Sequence, residues 1–219
     1  MQIFHGIEER FILTIMPPTH SVAFQIKDKS VLKRVDRVLH AIKEKSPGDV
    51  ARSVVATEKS HVSLFVFELP RQREREAVMA FKSVAARHRE TFQAKPVSLE
   101  LKGVDQMCLN DGHRLVFSPG KIKPPGRHSQ VVALVQELKE EFAKIEGARI
   151  NRTSSLFLHL SLVNTSIGGG APPKDEIPSE WFQDCKDFGE QKVFSVQLLS
   201  KHKNMDSDGY YYCEAEVMF

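Results

Sequence analysis

The amino-acid sequence predicts an α+β fold built from a duplicated unit. Short apolar strand-like segments and amphipathic helix-like segments follow one another in the order β-α-β-α-β-β-α-β-α-β-β. Consecutive strands indicate hairpins, and the helices between them indicate an outer layer. Matching segments recur about 97 positions apart, which indicates two copies of one unit. Two copies related by a pseudo-twofold axis predict a bilobal molecule with a cleft between the lobes.

The first unit contains two predicted helices and four predicted strands. In order, they are a strand over 21–27, a helix over 28–45, a strand over 61–69, a helix over 70–89 and strands over 97–102 and 113–117. Asp28 is a helix-capping residue, and the helix that follows has an apolar face. A turn containing Asp111 and Gly112 joins the last two strands.

The second unit follows a Pro- and Gly-rich connector over 118–127. Its predicted elements are a helix over 129–145, a strand over 157–163, a short helix over 179–188 and a hairpin of strands over 193–200 and 209–217. The segment 166–178 is interpreted as a surface loop, with a lid over the cleft as the alternative. Residues 1–20 are interpreted as an N-terminal extension or extra strand, and 21–219 as a single bilobal domain.

Composition limits the classes of protein that this chain can belong to. Of its 219 residues 41% are hydrophobic, and no apolar run approaches the roughly 20 residues of a membrane helix. The three cysteines, Cys108, Cys185 and Cys213, are scattered, which predicts neither a disulfide framework nor a zinc site. A reducing compartment, the cytoplasm or nucleus, is therefore expected. A formal net charge of +3 suits an anionic ligand and does not by itself indicate nucleic acid.

Two matching motifs carry the functional signal. The first motif is His61-Val62-Ser63-Leu64 and the second is His159-Leu160-Ser161-Leu162, with the histidines 98 positions apart. Each motif opens a short apolar strand, so its histidine and serine share one face and its apolar residues share the other. A single His-x-Ser is common by chance, and one histidine on a strand is more often structural than catalytic. Two copies on equivalent strands favour a shared site.

Further repeats have nearly the same spacing as the motifs. The turn at 111–113 recurs at 208–210 and the segment 97–101 recurs at 194–198, each after 97 positions, and the helical segment 38–44 resembles 134–140 after 96. Three pairs in one order and at one spacing favour duplication over chance similarity of short apolar segments.

The paired motifs resemble the 2H phosphoesterase superfamily, which is named for its two histidines. With the segment 101–104 and the Asp-Gly-aromatic turn near the C-terminus, they resemble the branch containing the A-kinase anchoring protein central domain and the C-terminal domain of activating signal cointegrator complex subunit 1. The resemblance extends from Ser21 to the C-terminus. Many members of that branch have Thr where this chain has Ser63 and Ser161, and serine retains the hydroxyl. The resemblance implies two mainly antiparallel sheets lining a central groove, with helices on the outer faces.

The residue types in the motifs suit cleavage of a phosphodiester without a metal or cofactor. His61 and His159 would act as general acid and base, while Ser63 and Ser161 would donate hydrogen bonds to phosphoryl oxygens. A serine nucleophile is disfavoured because neither serine lies in a Gly-x-Ser-x-Gly turn. A metal centre is disfavoured because both motifs lack carboxylates. The resemblance implies 2′,5′-linked oligoadenylate, a 2′,3′-cyclic phosphate or an RNA 3′ end as substrate.

Other residues are candidates for binding that substrate. Three aromatic residues share the strand parity of the motif histidines and are interpreted as a base-stacking position or as core and groove wall: Phe65, Phe67 and Phe157. Three basic residues are interpreted as positive charge at the groove rim or as solvated surface: Arg152, Lys121 and Lys123. The predicted partner is RNA, an oligonucleotide or a nucleotide, with no membrane, and the chain is expected to be a monomer. The alternative function is a non-catalytic nucleotide-binding module of a scaffold or signalling protein.

Overall fold

The computed structural model describes residues 18–109, 111–151, 155–167, 171–173, 176–182 and 187–219. Its helices are α1 (Lys29–Lys45), α2 (Gly48–Arg52), α3 (Glu74–Ala94) and α4 (His128–Phe142). Its strands are β1 (His20–Gln25), β2 (His61–Glu68), β3 (Ser98–Lys102), β4 (Asp105–Cys108), β5 (Arg114–Lys123), β6 (Arg149–Ile150), β7 (His159–Asn164), β8 (Asp187–Lys192), β9 (Ser195–Ser200) and β10 (Tyr212–Met218). The predicted α+β class is confirmed. None of the described helices is long and apolar enough to cross a membrane.

All ladders between the described strands are antiparallel, and the order is β10-β9-β1-β2-β7-β5-β3-β8. The two halves of this order, β10 to β2 and β7 to β8, meet where β2 lies beside β7. That contact consists of one ladder pair, Val62 with Leu160, whereas β1 pairs with β2 over six positions. Where two mainly antiparallel sheets were predicted, the described strands form one antiparallel sheet of ten strands, whose two halves join along the motif strands.

Each sequence repeat contributes strands to both halves of the sheet. The C-terminal hairpin of β9 and β10 lies beside β1 from the beginning of the chain. Strands β3 and β5, from the first repeat, lie with β7 and β8 from the second. The two repeats are therefore interlocked, and neither completes its own half of the sheet.

Two predicted segments differ from the structure. Residues 118–123 of the predicted connector continue β5, whose first part pairs with β7 and whose last part pairs with β3. Gly120 permits this because a Cβ there would lie 3.1 Å from the Leu99 side chain. The predicted helix over 179–188 is wrong: a 3-10 turn covers Ser179–Trp181, and residues from Asp187 onward form β8, with Phe188 fully buried.

The helices bury the face of the sheet opposite the motif histidines. Asp28 caps α1 as predicted, accepting hydrogen bonds from the N–H groups of Ser30 and Val31. Helix α1 packs on β8, while α3 packs on α4 and β10. The rings of Phe65 and Phe67 on β2 contact Phe142 of α4. The face without helices, called the open face below, remains for the site.

Candidate active site

The two motifs lie on adjacent antiparallel strands. Val62 pairs with Leu160, and both are buried in the core, with exposed fractions of 0% and 1%. The register set by this pair places His61 across from Ser161 and Ser63 across from His159. All four polar side chains then point to the open face, because strand residues alternate between faces. The local twofold axis of the duplication passes through the Val62–Leu160 pair.

Both motif strands contain a β-bulge at the same position. In β2, Ser63 pairs with Ala23 and Phe65 pairs with Val22, so Leu64 has no partner of its own in that ladder. In β7, Leu162 is left out in the same way in the ladder with β5. A bulge adds one residue and reverses which side chains face each side of the sheet beyond it. The shared bulge confirms that the two strands are equivalent in structure.

The first bulge overturns the predicted roles of two aromatic residues. Parity along β2 predicted that Phe65 and Phe67 share the face of His61. Because the bulge reverses that parity, both rings point into the core and are 8% and 2% exposed. Neither residue is placed to stack on a base. Phe157 is half-buried, and its ring centroid lies 4.7 Å from that of His159, so it remains at the site.

Backbone hydrogen bonding determines which nitrogen of His61 faces the substrate. Its Nδ1 lies 2.8 Å from the carbonyl oxygen of Lys59, which can only accept, so Nδ1 carries the proton. Its Nε2 then accepts from the hydroxyl of Ser63 at 3.1 Å. Burial, and then the charges of Lys201 and His159, lower the pKa of His61 to about 4, against the raising effect of the bond to Lys59. His61 is therefore neutral near pH 7.

His159 is held in the same way. Its Nδ1 donates to the carbonyl oxygen of Phe157 at 3.2 Å, which directs Nε2 away from the backbone. Its ring also meets Phe117 edge-on, at 5.5 Å between centroids. Burial and the charge of Lys201 lower the pKa of His159, while the bond to Phe157 raises it. In both motifs the carbonyl two residues before the histidine therefore fixes the tautomer.

The C-terminal hairpin supplies two tyrosines beside His61. The ring of Tyr211 meets the imidazole edge-on at 5.3 Å, and the ring of Tyr210 lies 6.4 Å away. Tyr210 is buried, and its hydroxyl donates to Gln197 at 3.1 Å. Tyr211 is half-buried and has the ammonium of Lys59 above its ring at 5.9 Å. The sequence of this stretch predicted only a turn, although a repeated Asp-Gly turn with consecutive tyrosines could have marked it.

Lys201 is a further residue of the site that was not predicted from the sequence. It follows β9 directly, and its N–H donates to the carbonyl oxygen of Thr19 at 2.8 Å. Gln197 pairs with Ala23, which is on the face of Ser63, so alternation places Lys201 on the open face too. Its positive charge lowers the pKa of both motif histidines. In the sequence it belongs to the run Lys201-His202-Lys203, which is typical of a solvated turn.

The predicted rim residues have different positions. Pro119 pairs with His159, so Lys121 and Lys123 share its face, two and four residues further along β5. The ammonium nitrogen of Lys123 lies 3.3 Å from a carboxylate oxygen of Glu100 in a salt bridge, whereas the side chain of Lys121 is exposed. Arg152 lies outside the described residues, as do parts of the predicted loop at 166–178, so these interpretations stay predictions.

Solved structures share this architecture at low sequence identity. Escherichia coli LigT complexed with 3′-AMP matches with a TM-score of 0.59 and 17% identity, covering 93% of this chain and 98% of that one. TT0787 of Thermus thermophilus matches with a TM-score of 0.56 and 16% identity, covering 91% and 97%. These matches show a shared fold, and with the paired His-x-Ser strands and a family match over residues 18–219 they define the chain as a 2H phosphoesterase superfamily protein.

The chain belongs to the AKAP7 2′5′ RNA ligase-like domain family, whose pattern it matches over residues 18–219. Human A-kinase anchor protein 7 isoform gamma is 22% identical over 208 residues. That match covers 92% of this chain and 57% of the human protein, so the chain spans little more than half the length of this relative. The branch predicted from the motifs is confirmed.

Proposed function

We propose that the protein is a metal-independent phosphodiesterase acting on RNA or oligonucleotides, with the two motif histidines as general acid and base. The observation that carries the proposal is the register of β2 and β7, which places each motif histidine across from the serine of the other motif on the open face. A phosphate at the centre of this arrangement would have one imidazole on either side and two hydroxyls beside it. In-line displacement at phosphorus needs that placement.

The reaction needs one proton removed and one supplied. The base takes the proton of a ribose hydroxyl or a water, whose oxygen forms the new bond to phosphorus. The acid gives a proton to the leaving oxygen as its bond to phosphorus breaks. Since each Nδ1 donates to a backbone carbonyl, the working atom is Nε2 in both histidines. After one turnover His61 carries the proton and His159 does not, and proton exchange with solvent water restores the starting states.

The electrostatics favour His61 as base and His159 as acid. The charge of His159 lowers the pKa of His61, so a proton on His159 keeps His61 neutral. The hydroxyl of Ser63 donates to the lone pair of His61 Nε2, which also stabilises the neutral form. A bound phosphate carries negative charge, which raises the pKa of a nearby imidazole. Substrate binding therefore supplies the condition that His159 needs to act as acid near neutral pH.

Three groups would stabilise charge on the phosphoryl oxygens. Ser161 donates a hydroxyl hydrogen bond, Ser63 does so once the substrate displaces its bond to His61 Nε2, and Lys201 supplies a positive charge that reaches both histidines. A serine nucleophile would instead need a histidine oriented by an acidic residue. Here both Nδ1 atoms donate to backbone carbonyls, and this arrangement supports acid–base chemistry by the imidazoles over acyl transfer.

Aromatic rings on which nucleotide bases could stack lie beside both motif histidines. Tyr211 lies beside His61 and Phe157 lies beside His159, both half-buried, so each keeps accessible ring surface. Stacking on such rings is worth about 1–3 kcal/mol per base. The similar LigT structure holds 3′-AMP. We therefore favour a substrate with bases on both sides of the scissile phosphate, such as 2′,5′-linked oligoadenylate, over a 2′,3′-cyclic phosphate or RNA 3′ end.

A second candidate function is nucleotide binding without turnover in a scaffold or signalling protein. The similarity to an A-kinase anchor protein, whose name describes anchoring, favours it. The same side chains would then recognise the phosphate and bases, and the histidines would contribute affinity only.

Product analysis separates these functions. The whole chain is incubated in EDTA with matched 2′,5′- and 3′,5′-linked adenylate trimers, a 2′,3′-cyclic nucleotide and an RNA 3′ end, and the products are resolved by mass. We expect cleavage that survives chelation and is lost in His61→Ala and His159→Ala. Binding of a trimer without cleavage would establish the second function. Cleavage that EDTA abolishes while the chain stays folded, and that a divalent ion restores, would contradict the mechanism.

A further inference from the structure

A separate cluster of metal-ligating side chains lies on the helix-covered face of the sheet. His20 begins β1, Glu74 begins α3 and His202 follows β9, and one donor atom from each lies within 4.8 Å of the other two. His61 pairs with Gln25, so alternation along β1 places His20 on the opposite face from the motif histidines. The cluster is therefore distinct from the proposed active site. The sequence analysis predicted no metal ligands, because these three residues are far apart in the chain.

His20 presents a buried nitrogen that has no partner among the described residues. The side chain is 0% exposed, and its Nδ1 lies 2.8 Å from the hydroxyl oxygen of Thr19. That oxygen also accepts from the N–H of Leu69 at 2.9 Å, and its own proton can reach the Leu69 carbonyl at 3.4 Å. This network is complete when His20 Nδ1 donates to Thr19. His20 Nε2 is then unprotonated, and its lone pair is buried and accepts no hydrogen bond from the described residues.

The other two ligands are positioned by their own hydrogen bonds. His202 Nδ1 contacts the hydroxyl of Ser200 at 3.2 Å, and its Nε2 contacts Glu74 Oε1 at 2.9 Å. Lys203 holds the second oxygen of Glu74, Oε2, at 2.7 Å, which leaves Oε1 directed at the histidines. Ligating histidines in metal sites are typically oriented by a bond at the other ring nitrogen. Both histidines here have that bond, to Thr19 and to Ser200.

We propose that His20 Nε2, His202 Nε2 and Glu74 Oε1 form a zinc-binding site. Two imidazole nitrogens and one carboxylate oxygen suit Zn²⁺, with water or another small ligand in the fourth position. The charge also favours a cation, since Glu74 and Glu214 share the single positive charge of Lys203. Binding requires the proton of His202 Nε2 to move to Nδ1, where it is donated to Ser200, and no other reactant is involved.

The site would connect three distant parts of the chain. A tetrahedral zinc ion with bonds of about 2.0–2.1 Å holds its ligand atoms roughly 3.3 Å apart. On binding, His202 Nε2 and Glu74 Oε1, which lie 2.9 Å apart, would separate slightly, and any donor pair farther apart than the zinc spacing would approach to it. The bound ion would fasten the start of β1, the start of α3 and the segment after β9. These parts belong to both sequence repeats, so zinc would stabilise their interlocking. Stabilisation by a bound ligand rises with its free concentration above Kd.

Zinc titration of the whole chain, stripped with a chelator, tests the proposal. Kd is measured by competition with a chromophoric chelator, and the thermal midpoint is measured with and without Zn²⁺. We expect one equivalent to bind and to raise the midpoint, and we expect Glu74→Gln and His202→Gln each to weaken binding at least about tenfold. These two side chains are partly exposed, so their replacement is less disruptive than replacement of His20.

The half-buried pair of His88 and Glu137 provides a matched control. His88 Nε2 contacts Glu137 Oε2 at 2.6 Å, which reproduces the histidine–carboxylate contact without a second histidine. His88→Gln should bind zinc like the wild type. Absence of stoichiometric binding, or binding that neither Glu74→Gln nor His202→Gln weakens, would overturn the proposal. His61→Ala serves as a second control, since unchanged zinc affinity there shows that the ion is not held in the active site.

Discussion

The two His-x-Ser motifs share a backbone and differ in their surroundings. In each, the histidine donates through Nδ1 to the carbonyl two residues earlier, and a leucine forms a bulge directly after the serine. The pairing of Val62 with Leu160 relates one motif to the other. Duplication thus accounts for the symmetric placement of the imidazoles and hydroxyls.

The neighbours of the two imidazoles break this symmetry. The first imidazole accepts a hydrogen bond from Ser63 and meets the edge of Tyr211. The second lies against the tilted ring of Phe157, at an interplanar angle of 30°. Burial and the charge of Lys201 lower the pKa of both imidazoles, and the charge of His159 lowers that of the first as well. The comparison shows that two motifs with the same backbone can place their histidines in different surroundings, as a reaction with one acid and one base requires.

Removal of either imidazole should have the largest effect on turnover. His61→Ala and His159→Ala should each lower kcat by about 10²–10⁴-fold, because each removes one proton transfer. The losses should not multiply in the double variant, since acid and base act in one coupled step. Steady-state kinetics on a cleaved oligonucleotide gives these values. His88→Gln, a change of a half-buried histidine on α3, is the control. Near-normal turnover in either alanine variant would refute the paired-histidine mechanism.

The bulge in β2 predicts opposite effects for two phenylalanines. Phe67→Ala should lower the free energy of unfolding by about 3–5 kcal/mol, because it empties a core position against Phe142. Phe157→Ala should cost less stability and weaken nucleotide binding, because that ring lies beside His159. Denaturant unfolding and binding isotherms on both variants make the comparison. Equal losses of stability, with no change in affinity for Phe157→Ala, would contradict the assignment of faces.

Lys201→Gln should weaken substrate binding and move the pH profile. A charged hydrogen bond to phosphate is worth about 1.5–3 kcal/mol, so KM should rise roughly tenfold or more. The positive charge of Lys201 lowers the pKa of both histidines, so its removal raises both. The limbs of kcat/KM against pH report these groups in the free enzyme and should shift to higher pH. In the wild type the maximum should lie below pH 6.5, the ordinary pKa of histidine, because both values are lowered. Lys82→Gln, which changes an exposed lysine on α3, is the control and should leave the pH profile unchanged.

Replacement of the motif serines should have the smallest effects on turnover. Ser161→Ala and Ser63→Ala each remove one neutral hydrogen bond, so kcat/KM should fall roughly 2- to 10-fold. Threonine at either position keeps the hydroxyl and should retain most activity. A loss as large as that of the histidine variants would indicate a nucleophilic serine. Kinetics on one substrate, with Ser118→Ala as a control on a buried serine away from the open face, provides the comparison.

Much of the fold could be predicted because its signals are local. Helix α1 has its cap and apolar stripe in consecutive residues, and the motif strands have short apolar runs. The helix predicted over 179–188 failed because pairing of β8 with β3, a contact between distant residues, determined its end. Strand β5 likewise continues through Pro119 and Gly120 because it bridges two ladders. Tertiary context of this kind cannot be read from a short window of sequence.

The site residues that belong to the repeated His-x-Ser motifs could be predicted from the sequence, and the others could not. His61, Ser63, His159 and Ser161 recur in pattern, so the sequence alone placed them together. Phe65 was assigned to the wrong face because nothing in an apolar run marks a β-bulge. The bulge occurs at equivalent leucines in the two motif strands, and only the strand pairing reveals it. Lys201, Tyr211 and the His20 cluster depend on the hairpin of β9 and β10 lying beside β1. That exchange between repeats is set by packing and not by spacing.

Leaving-group dependence tests the division of labour between the motifs most directly. His61→Ala and His159→Ala are each assayed on a nucleoside phosphodiester with a ribose leaving group and on its nitrophenyl counterpart, whose leaving group needs no proton. We predict that the nitrophenyl substrate restores most of the activity of His159→Ala, because the missing acid is no longer required, and leaves His61→Ala impaired. Equal impairment of both variants on both substrates, or rescue of His61→Ala instead, would contradict the assignment of His61 as base and His159 as acid.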